Sequence, residues 1–235
     1  MDCNYVISMY NKANIGELVK PFSLILANFK GGCGKTSLGC HLAWRAAERQ
    51  MRVLFVDCDR QGDGYRRLVG DKGDLADMPS VAWRGGQVVH SPDTYNLPPT
   101  GFDLIVVDTA PGLQLPQGPP LDLLVLPVDG VDAARNAWET IAEAEERGIR
   151  RVLVVFNGIQ EGGKVQARRF AEMKEHLPAG VTLWKGGHSI PRGGCIKRSA
   201  LNCRPAWVDV WKGRDARELE AFCDAMLEIA RRKAA

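Results

Sequence analysis

The stretch FKGGCGKTS, which begins at Phe29, constrains the fold more than any other part of the sequence. It follows the apolar run FSLILAN and precedes a stretch with helical spacing, which predicts a strand, a glycine-rich loop and a helix in that order. Glycines allow successive backbone N–H groups to turn inward, and the helix N-terminus adds the positive end of its dipole. This arrangement predicts a phosphate-binding loop and disfavours a simple glycine-rich turn.

Short apolar runs recur along the chain and predict a parallel sheet. They cover residues 22–28, 52–57, 102–108, 121–128, 151–157 and 181–184, and stretches with helical spacing lie between them at 37–50, 133–148 and 166–177. Continuous apolar runs indicate strands that are covered on both faces. We therefore predict an α/β fold with a doubly wound, mostly parallel sheet and helices on both faces. Residues 62–101 show little periodicity, and we expect a surface excursion with short helices there.

The composition restricts the class of protein and its compartment. The chain has 235 residues, 45% of them hydrophobic, which fits one globular domain. Its seven cysteines form no CxxC pair, which argues against a disulfide scaffold or a zinc ribbon. No apolar run approaches the roughly 20 residues of a spanning helix. The N-terminal stretch MDCNYVISMYNKANIGELVK also lacks the pattern of a signal peptide. We therefore predict a soluble, cytoplasmic protein.

The phosphate loop contains two lysines, five positions apart, and two adjacent hydroxyls. We expect Lys35 to reach the β- and γ-phosphates of a nucleotide and the Thr36 hydroxyl to bind Mg²⁺. The predicted nucleotide-binding residues of this segment are Gly31, Gly32, Cys33, Gly34, Lys35, Thr36 and Ser37.

The sequence resembles the ParA/MinD family of P-loop ATPases, whose deviant Walker A motif has a lysine ahead of the glycines, as KGGCGKTS does. The resemblance implies a P-loop NTPase fold, ATP and Mg²⁺ as cofactors, and a homodimer that forms with ATP. It also implies that Lys30 reaches the nucleotide of the partner subunit and is catalytic together with Lys35. The alternative for Lys30 is a solvated lysine beside the loop.

Two further segments resemble motifs of the same family. DCDRQGDG is similar to the pattern DxDPQG, with Arg60 in place of the proline. The resemblance implies that Asp59 positions the attacking water and that Asp57 belongs to the Mg²⁺ shell. Either acid could instead only cap the following turn. In FDLIVVDTAPG the resemblance identifies Asp108 as the Walker B acid, which binds Mg²⁺ directly or through water.

Two further assignments concern the base of the nucleotide. The resemblance places Asn157 where relatives carry an adenine-reading residue and places backbone near Pro191 over the base. Asn157 could also be an ordinary loop-capping asparagine. The resemblance runs from about Phe22 to the end, so we divide the chain into an N-terminal extension, 1–20, and a ParA-like ATPase domain, 21–235.

The C-terminal part decides between members of the family. A final helix with Leu219, Phe222, Met226 and Ile229 at helical spacing predicts a stripe packed in the core and no membrane anchor. A cluster of cations in the same region predicts nonspecific binding of double-stranded DNA. Its members are Arg192, Lys197, Arg198, Arg204, Lys212, Arg214 and Arg217. The alternative is a solvated basic face paired with nearby acids.

Together these features predict a Mg-ATP-dependent, dimerising ATPase switch of the small ParA type. It would bind nonspecific DNA, associate with the nucleoid and position or partition a plasmid, a chromosome region or a large cargo. A ParB-type or cargo-adaptor protein would stimulate its hydrolysis. The alternative is an ATP-gated assembly or polar-positioning scaffold that acts through protein partners without DNA. An ATP-dependent amidase or synthetase on the same fold is less favoured, because such relatives generally lack the signature lysine.

Overall fold

The computed structural model describes residues 20–70, 80–98, 100–112, 114–159, 164–187, 189–191, 193–208 and 213–234. The strands are β1 (Phe22–Leu26), β2 (Val53–Asp57), β3 (Ser80–Trp83), β4 (Gly86–His90), β5 (Leu104–Asp108), β6 (Leu123–Val128), β7 (Val152–Ile159), β8 (Val181–Leu183) and β9 (Ser189–Pro191). The α-helices are α1 (Lys35–Glu48), α2 (Asp63–Val69), α3 (Val131–Glu146), α4 (Lys164–Glu175), α5 (Gly194–Asn202) and α6 (Arg214–Ala234).

The strands form one nine-stranded sheet, in which eight follow the order β3-β4-β2-β5-β1-β6-β7-β8. The ninth strand, β9, pairs with the C-terminal half of β7, and β8 pairs with the N-terminal half. Every pairing is parallel except that between β3 and β4. The predicted α/β fold with a mostly parallel sheet is therefore confirmed. In the register, Asp108 lies opposite both Leu26 and Asp57. The carboxyl ends of β1, β2 and β5 thus meet at one point of the sheet edge, where parallel α/β folds bind ligands.

Both faces of the sheet are buried, as the continuous apolar runs predict. β1, β2, β5 and β6 are buried at every residue. Alternate strand residues pack on opposite sides, Leu24 and Phe55 with α1 and α6, and Ile25 and Leu54 with α3. Helix α1 is therefore held between the sheet and neighbouring helices, which fixes the position of the loop that precedes it.

The region 62–101 differs from the prediction. A short helix does form there, α2, but residues 80–90 form the antiparallel hairpin β3–β4, and β4 extends the sheet beside β2. The two turn residues, Arg84 and Gly85, both have positive φ, 45° and 80°, as tight hairpins require. Trp83 and Val88 are buried on the hairpin. The short helix agrees with the prediction for this region, but the hairpin was not predicted, because a four-residue strand carries too little periodicity to be recognised.

The final helix packs in the core, as predicted. Leu219, Phe222 and Met226 of α6 are buried, and Ile229 packs against the same core cluster. Within the described ranges, no helix combines the length and the apolar character needed to cross a bilayer.

Candidate nucleotide-binding site

The phosphate loop connects β1 to α1 with the predicted geometry. Gly32 and Gly34 have φ values of 77° and 99°, a region that side chains other than glycine rarely adopt. Gly34 is also excluded from carrying a side chain by packing, because a Cβ there would overlap the amide group of Asn157. Helix α1 begins directly afterwards at Lys35. Its N-terminal N–H groups therefore face the concave side of the loop, where an anion is favoured.

Lys35 is almost fully buried and is held by the loop itself. Its ammonium donates hydrogen bonds to the carbonyl oxygens of Asn28, at 3.0 Å, and Lys30, at 3.1 Å. The thiol of Cys33 donates to the same Lys30 carbonyl, at 3.3 Å. Burial raises the pKa of this thiol, so Cys33 remains protonated and acts as a small apolar residue.

The signature lysine, Lys30, is paired with an acid of its own subunit. Its Nζ lies 3.1 Å from Oδ1 of Asp129, at the end of β6. The Asp129 side chain is 9% exposed and that of Lys30 is 32% exposed, so the pair is only partly screened by water. The sequence predicted the lysine but not its acidic partner, because the two residues are 99 positions apart.

Two carboxylates, Asp57 and Asp108, are buried below the phosphate loop. Asp57 accepts hydrogen bonds from the backbone N–H groups of Asp59, at 3.0 Å, and Tyr65, at 2.8 Å. Neither oxygen of Asp108 has a hydrogen-bond partner among the described residues. Buried carboxylate oxygens without a partner are costly unless a cation or a proton reaches them. The donor set and its burial therefore fit a hard cation such as Mg²⁺, with Asp108 as the best-placed ligand.

The pKa of Asp108 reflects this environment. Burial raises it most, repulsion from the Asp57 carboxylate adds to the rise, and the Thr36 hydroxyl and Lys35 ammonium oppose it. The pKa of Asp57 is also raised, chiefly by burial, although its two backbone hydrogen bonds oppose the rise. The predicted metal ligands Thr36, Asp57 and Asp108 thus lie together, and their roles stay predictions.

Asp59 lies at the rim of this cluster in a loop that is supported from the neighbouring strand. Its Oδ1 accepts a hydrogen bond from the Gln61 N–H, at 2.9 Å, and its carbonyl is 2.9 Å from the His90 ring at the end of β4. Arg60, which replaces the motif proline, pairs with Asp93 at 2.7 Å, but both side chains are exposed. The hairpin β3–β4 therefore gives the loop a support that its sequence alone does not.

A pocket extends from the phosphate loop towards β7 and β9. Its lining includes Gly34, Ser37, Asn157, Pro191, Ile196 and Lys197. Asn157 and Pro191 are therefore brought to the same pocket as the phosphate loop, as the resemblance implies. The Asn157 amide also donates to the Cys33 carbonyl, at 2.7 Å, so it supports the loop. Its contact with a base stays a prediction.

One cation near the phosphate loop was not predicted. Arg67 of α2 donates from Nη1 to the hydroxyl of Ser37, at 3.1 Å, and its charge opposes the rise in the pKa of Asp108. Nothing in the stretch YRRLVG distinguishes Arg67 from its neighbour Arg66. Only the packing of α2 against α1 directs one of the two arginines towards the site.

The predicted DNA-contacting residues that the structure describes differ in their surroundings. Arg192 and Lys212 lie outside the described residues. Arg198, Arg214 and Arg217 interact with other groups of the chain, and Lys197 lines the pocket beside the phosphate loop. Arg204 is exposed. The basic character of this region is thus divided between the nucleotide pocket and the outer surface.

The sequence matches a known family along most of its length. Residues 24–227 match the model of the CobQ/CobB/MinD/ParA nucleotide binding domain. The matched segment runs from β1 into α6 and contains all the predicted site residues.

Two curated relatives match parts of the chain. The cell division protein PomZ of Myxococcus xanthus is 55% identical over 44 residues, which are 19% of this chain and 14% of PomZ. The protein IncC of Escherichia coli is 24% identical over 237 aligned positions, covering 81% of this chain and 63% of IncC. The chain therefore spans less than two thirds of the length of the curated relatives that it matches.

Solved structures share the fold. The septum site-determining protein MinD of Pyrococcus horikoshii, complexed with Mg-ADP, superposes with a TM-score of 0.65 at 17% identity, over 91% of this chain and 98% of MinD. Apo McdA of Cyanothece superposes with a TM-score of 0.65 at 16% identity, over 88% of this chain and 99% of McdA. The order of strands and helices described above is thus that of a known architecture.

Proposed function

Because the chain belongs to the CobQ/CobB/MinD/ParA nucleotide-binding family, we propose that it is a Mg²⁺-dependent ATPase that works as a dimerising switch of the ParA type. The observation that carries this proposal is the site beneath the phosphate loop. Lys35 and Thr36 of the phosphate loop meet Asp108, from the end of β5, at this site, and neither oxygen of buried Asp108 has a hydrogen-bond partner among the described residues. A site of this kind suits the phosphates of a nucleotide together with a divalent cation.

Each residue of the site has a defined task in this proposal. The loop from Gly31 to Gly34 and the N-terminus of α1 bind the phosphates, and Lys35 neutralises their charge. Thr36 and Asp108 hold Mg²⁺, with Asp57 behind them. When bound, Mg²⁺ would neutralise the charge that develops on the phosphoryl oxygens. Asp59, on its supported loop at the rim, orients the attacking water.

Lys30 connects hydrolysis to dimerisation. In the single subunit its ammonium is paired with Asp129. A second subunit that faces the site would receive this lysine, which stabilises the charge on its nucleotide. Hydrolysis would then require two closed subunits, so ATP favours the dimer and its hydrolysis separates the subunits.

The cellular task that we propose is positioning or partition. PomZ is named as a cell division protein and MinD as a septum site-determining protein, which supports a role in placing a cargo. The cargo would be held through nonspecific DNA bound to the basic C-terminal region, and dimerisation would double this charged surface. A ParB-type or cargo-adaptor protein would stimulate hydrolysis.

Electrophoretic shift of unrelated duplexes tests the DNA-binding switch. We expect a shift with ATP, none with ADP or without nucleotide, and a weaker shift as salt increases. Lys30→Ala should abolish the ATP-dependent shift, whereas Arg52→Ala, far from the site at an exposed ion pair with Asp103, should retain it. A shift that is equal with ATP and ADP would contradict the proposal.

A second candidate function is an ATP-gated scaffold that binds a protein partner without DNA. The observation that favours it is the division of the basic region, together with two exposed apolar side chains. Leu201 is 84% exposed and Val208 is 48% exposed, and both lie near Arg204. Apolar side chains contribute little to nonspecific DNA binding, but they suit a protein partner. ATP-dependent dimerisation without any DNA shift at low salt would support this function.

A further inference from the structure

The pocket beside the phosphate loop receives a cation from α5. Among its lining residues, the charged side chains are Asp129 and Lys197. Asp129 is already paired with Lys30, at 3.1 Å. Lys197 forms no ion pair with any residue that the structure describes, whereas other lysines and arginines of this region interact with groups of the chain. An anion in the pocket would therefore meet an ammonium group that is not neutralised.

The neighbours of Lys197 in the pocket indicate which part of a nucleotide it meets. Lys197 lines the same pocket as Gly32 and Gly34 of the phosphate loop and as Ser37, which follows the loop in the first turn of α1. If the terminal phosphates occupy the loop, the phosphate nearest the sugar is the one that extends from the loop into this pocket.

Helix α5 is linked to α1 by a buried histidine. His41 of α1 has Nδ1 2.6 Å from the carbonyl oxygen of Ser37, and its Nε2 accepts a hydrogen bond from the Ala206 N–H, at 3.1 Å. Because Nε2 accepts, Nδ1 carries the proton and donates to Ser37. The hydroxyl of Ser199, two residues after Lys197, is also 3.1 Å from Nε2.

The other end of α5 is fixed by an acid. Asp215 of α6 is buried and accepts hydrogen bonds from the N–H groups of Cys195, at 3.0 Å, and Ile196, at 3.2 Å. This carboxylate caps the first turn of α5. A Cβ at Gly193 or Gly213 would overlap Asp215, so the backbone at both positions is packed closely around the cap. Lys197 is thus presented from a helix that is anchored at both ends.

We propose that Lys197 is a nucleotide-binding residue that contacts the α-phosphate together with Ser37, and that it is not part of the DNA-binding surface. This inference rests on the proposed function, since it needs a nucleotide in the pocket. It replaces the interpretation from the sequence, which grouped Lys197 with its neighbour Arg198. It also gives α5 two functions, because its pocket side binds nucleotide while its outer side carries Leu201 and leads to Arg204.

Isothermal titration with ATP and with ADP, each in the presence of Mg²⁺, tests the proposal. Lys197→Ala should lower the affinity for ATP and for ADP by the same factor, about fivefold to tenfold. The reason is that one charge-assisted contact to a phosphate present in both nucleotides is lost. Lys197→Arg should restore affinity to within about twofold, since the charge is retained. Arg204→Ala, an exposed cation of the same region, should bind both nucleotides as the wild type does.

The outcomes separate the inference from the function on which it rests. A wild-type protein that binds neither nucleotide would overturn the proposed function and the inference with it. A wild type that binds both, with Lys197→Ala equal to it, would overturn the inference alone. A lower affinity of Lys197→Ala for ATP but not for ADP would also overturn the inference, because the lysine would then contact the γ-phosphate.

Discussion

At the scale of single residues, the cost of burying charge is concentrated in Asp57 and Asp108. Both are fully buried, and among the described residues hydrogen-bond partners are found for Asp57 but not for Asp108. A raised pKa means that the folded protein without a cation binds a proton more tightly than the unfolded chain does. The loss of folding stability that this causes is absent below the carboxyl pKa of the unfolded chain, about 4. It grows as the pH rises from there towards the pKa in the folded protein.

Replacing Asp108 by asparagine removes this penalty. We expect Asp108→Asn, without nucleotide or Mg²⁺, to be more stable at pH 8 by about 1 kcal/mol or more, which raises Tm by about 2–4 °C. Asp59→Asn, at the half-exposed rim, should change stability by less than about 0.5 kcal/mol. Thermal unfolding measures both, and a lower Tm for Asp108→Asn would contradict this description of the site.

His41 makes a second pH-dependent contribution. Burial is the main cause that lowers its pKa from 6.5 to about 4, so the folded protein holds it neutral. The unfolded chain takes up a proton first, and stability falls as the pH decreases from about 6.5 to about 4. Between pH 7 and pH 5 this residue should account for a loss of about 2 kcal/mol.

Urea unfolding at pH 7 and pH 5 measures the contribution of His41. We expect His41→Gln to be less stable than the wild type at pH 7, because a buried ring and its hydrogen bonds are lost. The decrease in stability on going to pH 5 should be smaller for this variant by about 2 kcal/mol. His176→Gln, at an exposed site, should keep the wild-type pH dependence. Equal decreases in all three proteins would show that His41 is not held neutral by burial.

The site residues that could be predicted from the sequence are those specified by the residues next to them in the chain. Lys35, Thr36 and Asp108 were predicted because each is specified by a strand and the few residues that follow it. Asp129, Arg67 and the direction of Lys197 were not predicted. Each depends on which charged side chain the tertiary packing brings near the phosphate loop, and the local sequence around a charged residue carries no signal for that.

At the scale of elements, α1 is joined to α6 by one arginine. Arg45 donates to both carboxylate oxygens of Asp224, at 2.8 Å each, and also pairs with Glu48, at 3.1 Å, and Glu220, at 3.2 Å. Its side chain is only 15% exposed. The Arg45 guanidinium is the main cause that lowers the pKa of Asp224.

Removing this arginine should loosen the two helices. We expect Arg45→Met to lower the free energy of unfolding by about 2 kcal/mol, because several acids lose a partly buried partner. Arg49 also pairs with Asp224, at 3.1 Å, but its side chain is 47% exposed. Arg49→Ala should therefore cost less than about 0.5 kcal/mol. Equal losses for the two variants in urea unfolding would contradict the distinction.

The hairpin β3–β4 supports the loop that carries Asp59. The N–H of Ser91 donates to the Asp57 carbonyl, at 2.9 Å, and the His90 ring is bonded to the Asp59 carbonyl, at 2.9 Å. We expect His90→Ala to lower kcat about tenfold with little change in KM, because Asp59 is positioned less well. Arg60→Ala, which removes only an exposed ion pair, should change kcat by less than about twofold. Steady-state rates of ATP hydrolysis measure both variants. A change in KM alone for His90→Ala would contradict the proposal that His90 positions Asp59.

The elements were predictable where their pattern is long. The central strands and the helices α1, α3, α4 and α6 were predicted from continuous apolar runs and helical spacing. The hairpin was missed because its strands, Ser80–Trp83 and Gly86–His90, are short and lie at the sheet edge. Its main stabilisation comes from pairing with β2, a long-range interaction that local composition does not report.

At the scale of the whole molecule, the proposed site is incomplete in a single subunit. We propose that one chain holds the nucleotide while its own Lys30, which is paired with Asp129, serves the partner subunit. A closed pair of identical subunits would exchange the two lysines symmetrically. Nucleotide binding, dimerisation and binding to a surface are then linked, and each must strengthen the others.

The rate of ATP hydrolysis per subunit, measured as a function of protein concentration, tests this claim most directly. We predict that the rate per subunit rises with concentration and then saturates, because only the dimer is active. Lys30→Ala should remain near background at every concentration, although it still binds ATP. A wild-type rate per subunit that is constant over the whole range, and that Lys30→Ala retains, would contradict the account.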